Sequence, residues 1–96
     1  MPTVFHEAFE WDDAKAVANE RKHHVTFQEA CTVFEDLDHL VNEDPLDGTR
    51  FVAVGFSRIA RVLVVVHAIR GERTRVISAR RATVSEERRY VDRRGR

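Results

Sequence analysis

The sequence predicts a small α+β domain in which two N-terminal helices pack on a three- to four-stranded antiparallel sheet, followed by a C-terminal helix. Helix-capping patterns occur only near the two ends of the chain, and runs rich in Val, Ile and Phe fill residues 50–80. A length of 96 residues with 43% hydrophobic content suffices for one core. We therefore expect a single domain over residues 1–96, with its core at about residues 9–91 and a frayed end at residues 93–96.

Two helices are predicted before residue 35. Asp12 is suited to cap a helix that runs to about His23. The segment Thr26-Phe27-Gln28-Glu29 fits a capping box and predicts a second helix that ends near Phe34. Trp11 and Phe27 are aromatic residues that can stack on bases, but their positions favour anchoring the helices to a core.

The turn sequence Asp44–Gly48 separates these helices from a strand-rich second half. An antiparallel meander is expected from three segments: Arg50–Phe56, Arg61–Ile69 and Thr74–Arg80. A short strand at Leu40–Asn42 is an expected edge, and Thr83 or Ser85 is expected to cap the last helix.

The register of the meander predicts which side chains share a face. Four-residue loops at residues 57–60 and 70–73 place Phe56 opposite Arg61, and both Arg50 and Val76 opposite His67. One face then carries four polar side chains: Arg50, His67, Ser78 and Arg80. The other face is apolar and is expected to lie under the N-terminal helices. An error of one residue in either loop turns the side chains of a strand to the opposite face of the sheet.

The net charge of zero conceals two oppositely charged halves. Residues 1–48 carry three basic and twelve acidic side chains, whereas residues 49–96 carry thirteen basic and four acidic ones. Arginines dominate the basic set, and their guanidinium groups match phosphate geometry. The pattern is consistent with a polyanionic partner, and equally with salt bridges between the halves.

The basic half offers groups suited to metal-independent cleavage of RNA by attack of a ribose 2′-hydroxyl. Such a reaction needs proton transfer and cationic stabilisation of the phosphoryl oxygens. The candidate catalytic residues are His67, Arg50, Arg80, Arg81 and Tyr90, with Glu87 as a further assistant. The candidate RNA-binding residues are Arg58, Arg61, Arg75, Arg88 and Arg89. A lone strand histidine is, however, more often a structural residue than a catalyst.

No metal or cofactor is expected. His6, His23, His24 and Cys31 show none of the spacings typical of metal sites. The single cysteine forms no internal disulfide, and neither a signal peptide nor a membrane-spanning stretch is apparent, so we expect a cytoplasmic protein that does not enter membranes.

Two long segments resemble the BrnT toxins of BrnT/BrnA toxin-antitoxin systems. They are FEWDDAKAVANERKHHVTFQEACTVFED and RFVAVGFSRIARVLVVVHAIRGERTRVISARRATVSEERRY, and the most specific part is Arg75-Val76-Ile77-Ser78-Ala79-Arg80 followed by Ala82, Glu86 or Glu87, and Tyr90. His24 departs from the pattern, since the family usually has glycine there. The family usually has a strand arginine, a position that is histidine or threonine, and a closing tyrosine. Their counterparts in this sequence are Arg50, His67 and Tyr90, in that order.

The resemblance implies a RelE-like fold, ribonuclease activity that arrests growth, and an RNA substrate. It also implies neutralisation by a BrnA-type ribbon-helix-helix antitoxin in a hetero-oligomer, such as a heterotetramer, that represses its own operon. The alternative from another class is a non-catalytic basic module that binds nucleic acid or a protein partner.

Overall fold

The computed structural model describes residues 2–94. Its elements in chain order are β1 (Thr3–His6), β2 (Phe9–Asp12), α1 (Asp13–His23), α2 (Phe27–Cys31), a 3₁₀ turn (Thr32–Glu35), β3 (Leu40–Asp44), β4 (Asp47–Phe56), β5 (Val62–Arg70), β6 (Arg73–Arg81) and α3 (Val84–Arg94). None of these helices is long and apolar enough to cross a membrane.

The sheet has six strands in the order β1-β2-β6-β5-β4-β3, and it is mixed. The expected sheet of three to four antiparallel strands is therefore wrong. The additional strands come from residues 3–12, which form a hairpin whose second strand pairs in parallel with β6, Phe9 opposite Thr74. Phe9 and Trp11 alternate towards the core, so this segment continues the sheet instead of merely leading into the first helix.

The first helix has the expected extent, but it packs at the end of β2 along β6. The Asn19 side chain donates to the Ala79 carbonyl at 2.8 Å and accepts from the Ala79 amide at 3.1 Å. The amide group of Asn19 thus continues the hydrogen bonding that β2 begins on β6. His24 ends α1 with φ +57°, a left-handed conformation that glycine adopts more easily.

The second helix is shorter than expected. Thr26 caps it as predicted, because its hydroxyl accepts from the Glu29 amide at 3.0 Å. The helix ends at Cys31 and continues only as the 3₁₀ turn. The core includes Trp11, Phe27, Leu63 and Val65, all nearly inaccessible, which confirms the core interpretation of the two aromatic residues.

Two local irregularities change the predicted register. Phe56 pairs with Val62, not Arg61, because five residues close the β4–β5 hairpin, with Ala60 at φ +63°. His67 consequently lies opposite Phe51 instead of Arg50. On β6 the predicted pairing of His67 with Val76 is present, but Ile77 is an extra residue and the next pair is Val66 with Ser78.

The C-terminal helix is present, and Thr83 caps it, its hydroxyl accepting from the Glu86 amide at 3.1 Å. Arg93 and Arg94, which were expected to fray, belong to this helix. Residues 95 and 96 lie outside the described residues.

Candidate functional site

One face of the sheet collects arginines and lies opposite the face that α2 and the 3₁₀ turn cover. Across the strands, Val54 pairs with Val64 and Val64 with Arg80, so the Arg80 side chain shares their face. Because side chains alternate along each strand, and because Ile77 is an extra residue in β6, Arg50, Arg75 and Ser78 lie on this face as well. We call this surface, with Arg50, Arg75, Ser78 and Arg80, the arginine face.

Helix α3 forms a wall at one end of the arginine face. The Tyr90 ring packs against Phe56, with ring centroids 5.8 Å apart. Between the helix and strands β3 and β4 lies an open cleft of about 310 Å³. Its lining residues are Leu40, Asn42, Val54, Glu86, Arg89, Tyr90 and Arg93. This cleft therefore has an apolar floor and arginines on its wall, and it lies beside Arg80.

Arg80 is held by Glu86 of α3. Its two terminal nitrogens donate to the two carboxylate oxygens at 2.8 and 3.0 Å. Glu86 also accepts from the Thr83 amide at 2.8 Å, so one carboxylate completes the capping box and orients the guanidinium. These contacts, the one with Arg80 foremost, lower the pKa of Glu86 to about 2. Glu86 is therefore an anion at neutral pH and a poor proton acceptor.

His67 lies on the opposite face and is only 3% exposed. Its ring packs edge-on against Phe34 and stacks on Phe51, with centroid distances of 5.0 and 5.9 Å. Burial lowers its pKa, although a contact with the Val65 carbonyl acts in the other direction. The structure therefore separates His67 from Arg50 and Arg80.

Tyr90 is also buried, and its hydroxyl donates to the Asp36 carboxylate at 2.6 Å. Burial and this hydrogen bond raise the pKa of Tyr90 well above its usual range. Asp36 accepts as well from the backbone amide of Phe56 at 2.8 Å. The neighbouring Gly55 leaves the space that this carboxylate occupies, since a Cβ there would lie 3.2 Å from it and 2.9 Å from the Cβ of His39.

The other candidate arginines are distributed around the molecule. Arg58 forms ion pairs with Glu35, and Arg61 with Glu29, both at the β4–β5 hairpin. Arg81 pairs across from Leu63 and therefore lies on the face that α2 and the 3₁₀ turn cover. Arg88 is exposed, and helical geometry places it on the side of α3 away from Tyr90.

Salt bridges between the two halves of the chain neutralise part of the opposite charges that these halves carry. Besides those of Arg58 and Arg61, Arg75 pairs with Glu10 at 2.5 Å and Arg94 with Asp38 at 3.0 Å. Arg89 and Arg93 make no ion pair with any residue between 2 and 94. Both face the cleft beside α3.

Sequence reasoning missed Glu86 as the partner of Arg80 and Asp36 as the partner of Tyr90. The pattern Thr83-x-x-Glu86 is a capping box and was a usable signal for Glu86. The contacts of Asp36 with Phe56 and Tyr90 had no local signal, because these two partners are 20 and 54 residues away. Within residues 2–94, no three His, Cys, Asp or Glu side chains are grouped as metal ligands.

Similar proteins are found both among protein families and among solved structures. Residues 11–86 match the family model described as the ribonuclease toxin BrnT of type II toxin-antitoxin systems. The fold is similar to the 1.1 Å crystal structure of the ribonuclease toxin BrnT from Brucella abortus, with a TM-score of 0.65 and 28% identity over 76% of this chain and 92% of that one. A search of curated proteins found no match.

Proposed function

This chain belongs to the BrnT family of ribonuclease toxins of type II toxin-antitoxin systems, and on that basis we propose that it cuts RNA internally, without a metal ion, on the arginine face. Family membership implies an RNA substrate and an antitoxin partner. A non-catalytic module is not favoured, since the family is one of ribonucleases.

The observation that carries the proposal is Arg80, held by Glu86 at the foot of the α3 wall. A guanidinium fixed in this way binds the scissile phosphate and stabilises the charge that gathers on its oxygens. Arg89 stands on the wall of the same cleft and supplies a second cation. A cation that is held in place, as Arg80 is, acts mainly on the transition state, because it needs no reorganisation as the charge develops.

In the proposed reaction the ribose 2′-oxygen attacks the neighbouring phosphorus and the bond from phosphorus to the 5′-oxygen breaks. The products are a 2′,3′-cyclic phosphate and a 5′-hydroxyl. The 2′-hydroxyl loses its proton to solvent, and the departing 5′-oxygen takes up a proton from solvent. Arg80 and Arg89 balance the negative charge during this exchange.

His67 and Tyr90 have supporting roles in this proposal. Both are buried and neither side chain reaches the arginine face through a free polar group. His67 fills the core, and Tyr90 fixes α3 to the sheet so that Glu86 and Arg89 are correctly placed. We assign to both a role in the stability of the fold and no part in proton transfer.

We further propose that the antitoxin is a BrnA-type ribbon-helix-helix protein that covers the arginine face in a hetero-oligomer. Acidic antitoxin side chains match the arginines, and apolar ones match Val54 and Val64, which lie on the same face. Antitoxin and RNA then compete for Arg50 and Arg80. A complex that binds both at undiminished cleavage contradicts this arrangement.

The test is cleavage of a 5′-labelled RNA by purified protein in the presence of EDTA, with analysis of the product ends. We expect cleavage in EDTA and cyclic phosphate ends. Arg80→Ala should lower kcat by about a hundredfold. Arg81→Ala alters the neighbouring arginine on the opposite face and should cost at least tenfold less than Arg80→Ala.

Arg21→Ala, an exposed arginine on α1, is the control for general loss of charge. Products with 5′-phosphate ends, a strict need for a divalent cation, or equal losses in the two neighbouring variants contradict the proposal. Thermal melting of each variant separates loss of activity from loss of fold.

A further inference from the structure

A second cleft, of about 290 Å³, opens on the arginine face at the end away from α3. Four cationic residues line it: Lys15, Arg50, Arg70 and Arg75. Ala68 and Ile77 add an apolar floor. The cations come from α1 and from all three central strands, so the tertiary fold alone brings them together.

The lining carries more positive charge than its carboxylates neutralise. Arg75 is paired with Glu10, and Arg50 lies 3.4 Å from Asp47 with both side chains about 40% exposed, which makes that pair weak. Lys15 and Arg70 form no ion pair with residues 2–94. Cations confined in a cleft attract an anion, because the low-dielectric walls focus their field.

This cleft and Arg80 are too far apart to hold the same phosphate. Arg50 and Arg80 are separated by two strand spacings and four residues along the sheet, which places their Cα atoms roughly 16 Å apart. A span of this size exceeds one nucleotide step. Both sites lie on one open face, so a single RNA strand can pass from one to the other.

We propose that this second cleft, which we call the Lys15–Arg50 cleft, binds a backbone phosphate of the RNA more than one nucleotide away from the bond that is cut. The inference rests on the proposed function of the arginine face. Lys15 and Arg50 then increase affinity for longer RNA and hold the strand in register, while Arg80 acts on the scissile phosphate. Short substrates that do not reach the cleft gain nothing from it.

The test measures binding of a 20-nucleotide RNA carrying 2′-O-methyl groups throughout, which lacks the attacking hydroxyl. Fluorescence anisotropy between 50 and 200 mM salt gives the slope of log affinity against log salt. That slope is negative, and each lost phosphate contact should make it shallower by about 0.7. For Lys15→Ala, the affinity ratio of wild type to variant should therefore shrink about 2.5-fold over this salt range.

Asp47→Asn should act in the opposite direction and tighten binding, since it removes the carboxylate beside Arg50. Lys15→Arg should restore the wild-type slope, and Arg21→Ala on the same helix should not change it. In cleavage assays Lys15→Ala should raise KM for long RNA only, with kcat and the cleavage of a tetranucleotide unchanged.

An unchanged salt slope in Lys15→Ala overturns the inference, as does an equal change in Arg21→Ala. If Lys15→Ala weakens antitoxin binding while RNA binding stays the same, the cleft belongs to the protein partner and the inference also fails. Failure of the proposed catalytic site appears differently, as full cleavage by Arg80→Ala with the Lys15 effect still present.

Discussion

The Tyr90 hydroxyl donates a 2.6 Å hydrogen bond to Oδ2 of Asp36, and so joins α3 to the loop before β3. Burial by itself raises the pKa of Asp36, but the hydrogen bonds from Tyr90 and from the amides of Phe56 and Asp38 outweigh it and lower the pKa. The carboxylate is therefore an anion at neutral pH, and its partners determine where α3 lies.

Tyr90→Phe should destabilise the protein by about 1–3 kcal/mol, because a buried carboxylate loses a donor. The ring still packs on Phe56, so cleavage per folded molecule should remain close to that of the wild type. Urea unfolding and single-turnover cleavage measure the two effects separately. Asp92→Asn, an exposed change on the same helix, is the control. A large fall in kcat without any loss of stability assigns the hydroxyl to catalysis instead.

Glu86→Gln should separate the two contacts of Glu86. A glutamine keeps the capping box, since Gln is accepted at that position, but it removes the charge that orients Arg80. We expect tighter RNA binding, from the lost negative charge, and a kcat lowered about tenfold, from the lost orientation. Glu86→Ala should also lose about 1 kcal/mol of stability with the cap.

The acid dependence of stability offers a second measurement on Glu86. Its folded pKa is lowered, so the stability that it contributes is present above its ordinary pKa and is lost as the pH falls towards 2. The difference in melting temperature between wild type and Glu86→Gln should be largest near neutral pH and shrink in acid. A constant difference across this range indicates that the charge is not involved.

His24→Gly should stabilise the protein by about 1 kcal/mol, because glycine adopts the left-handed conformation that His24 holds at φ +57° without strain from a Cβ. The midpoint of urea unfolding should rise while its slope stays unchanged. Ala18→Gly, within the same helix, should destabilise by a similar amount and shows that the gain depends on position. A lower midpoint for His24→Gly indicates that its side chain has contacts of greater value.

His67→Leu should leave cleavage per folded molecule unchanged, because the ring lies in the core and not on the arginine face. Burial lowers the folded pKa of His67, so the unfolded chain binds protons more readily and the wild type loses stability as the pH falls below about 6.5. The variant should lose less over that range in thermal melts. A fall in kcat at preserved stability favours a catalytic histidine.

Elements with a local signal were predictable. The Thr26 cap, the turn at residues 44–48 and the Thr83 cap each depend on contacts within a few residues, and all three appear in the structure. The capping box predicted at Thr26 is only half formed, because the Glu29 carboxylate binds Ser57 and Arg61 instead. The meander and its apolar runs were predictable for the same reason. Membership of the chain in its family was also evident from motifs spread along most of its length.

The composition of the candidate site was only partly predictable. Arg50, Ser78 and Arg80 do share a face, but His67 does not, because the five-residue β4–β5 loop reverses β5 relative to the prediction and the bulge at Ile77 returns Ser78 and Arg80 to the side of Arg50. Neither irregularity contains the glycine that usually indicates one. A change of one residue was therefore sufficient to move the histidine from the site to the core.

By itself the amino-acid sequence determined the helices, the strand segments from β3 to β6, the arginine-rich half and the family, since these depend on neighbours in the chain. Tertiary structure alone decided the parallel pairing of β2 with β6, the Asp36–Tyr90 contact and the cleft that joins Lys15 to Arg50. These features depend on packing between segments distant in sequence, and no local pattern reports which segments meet.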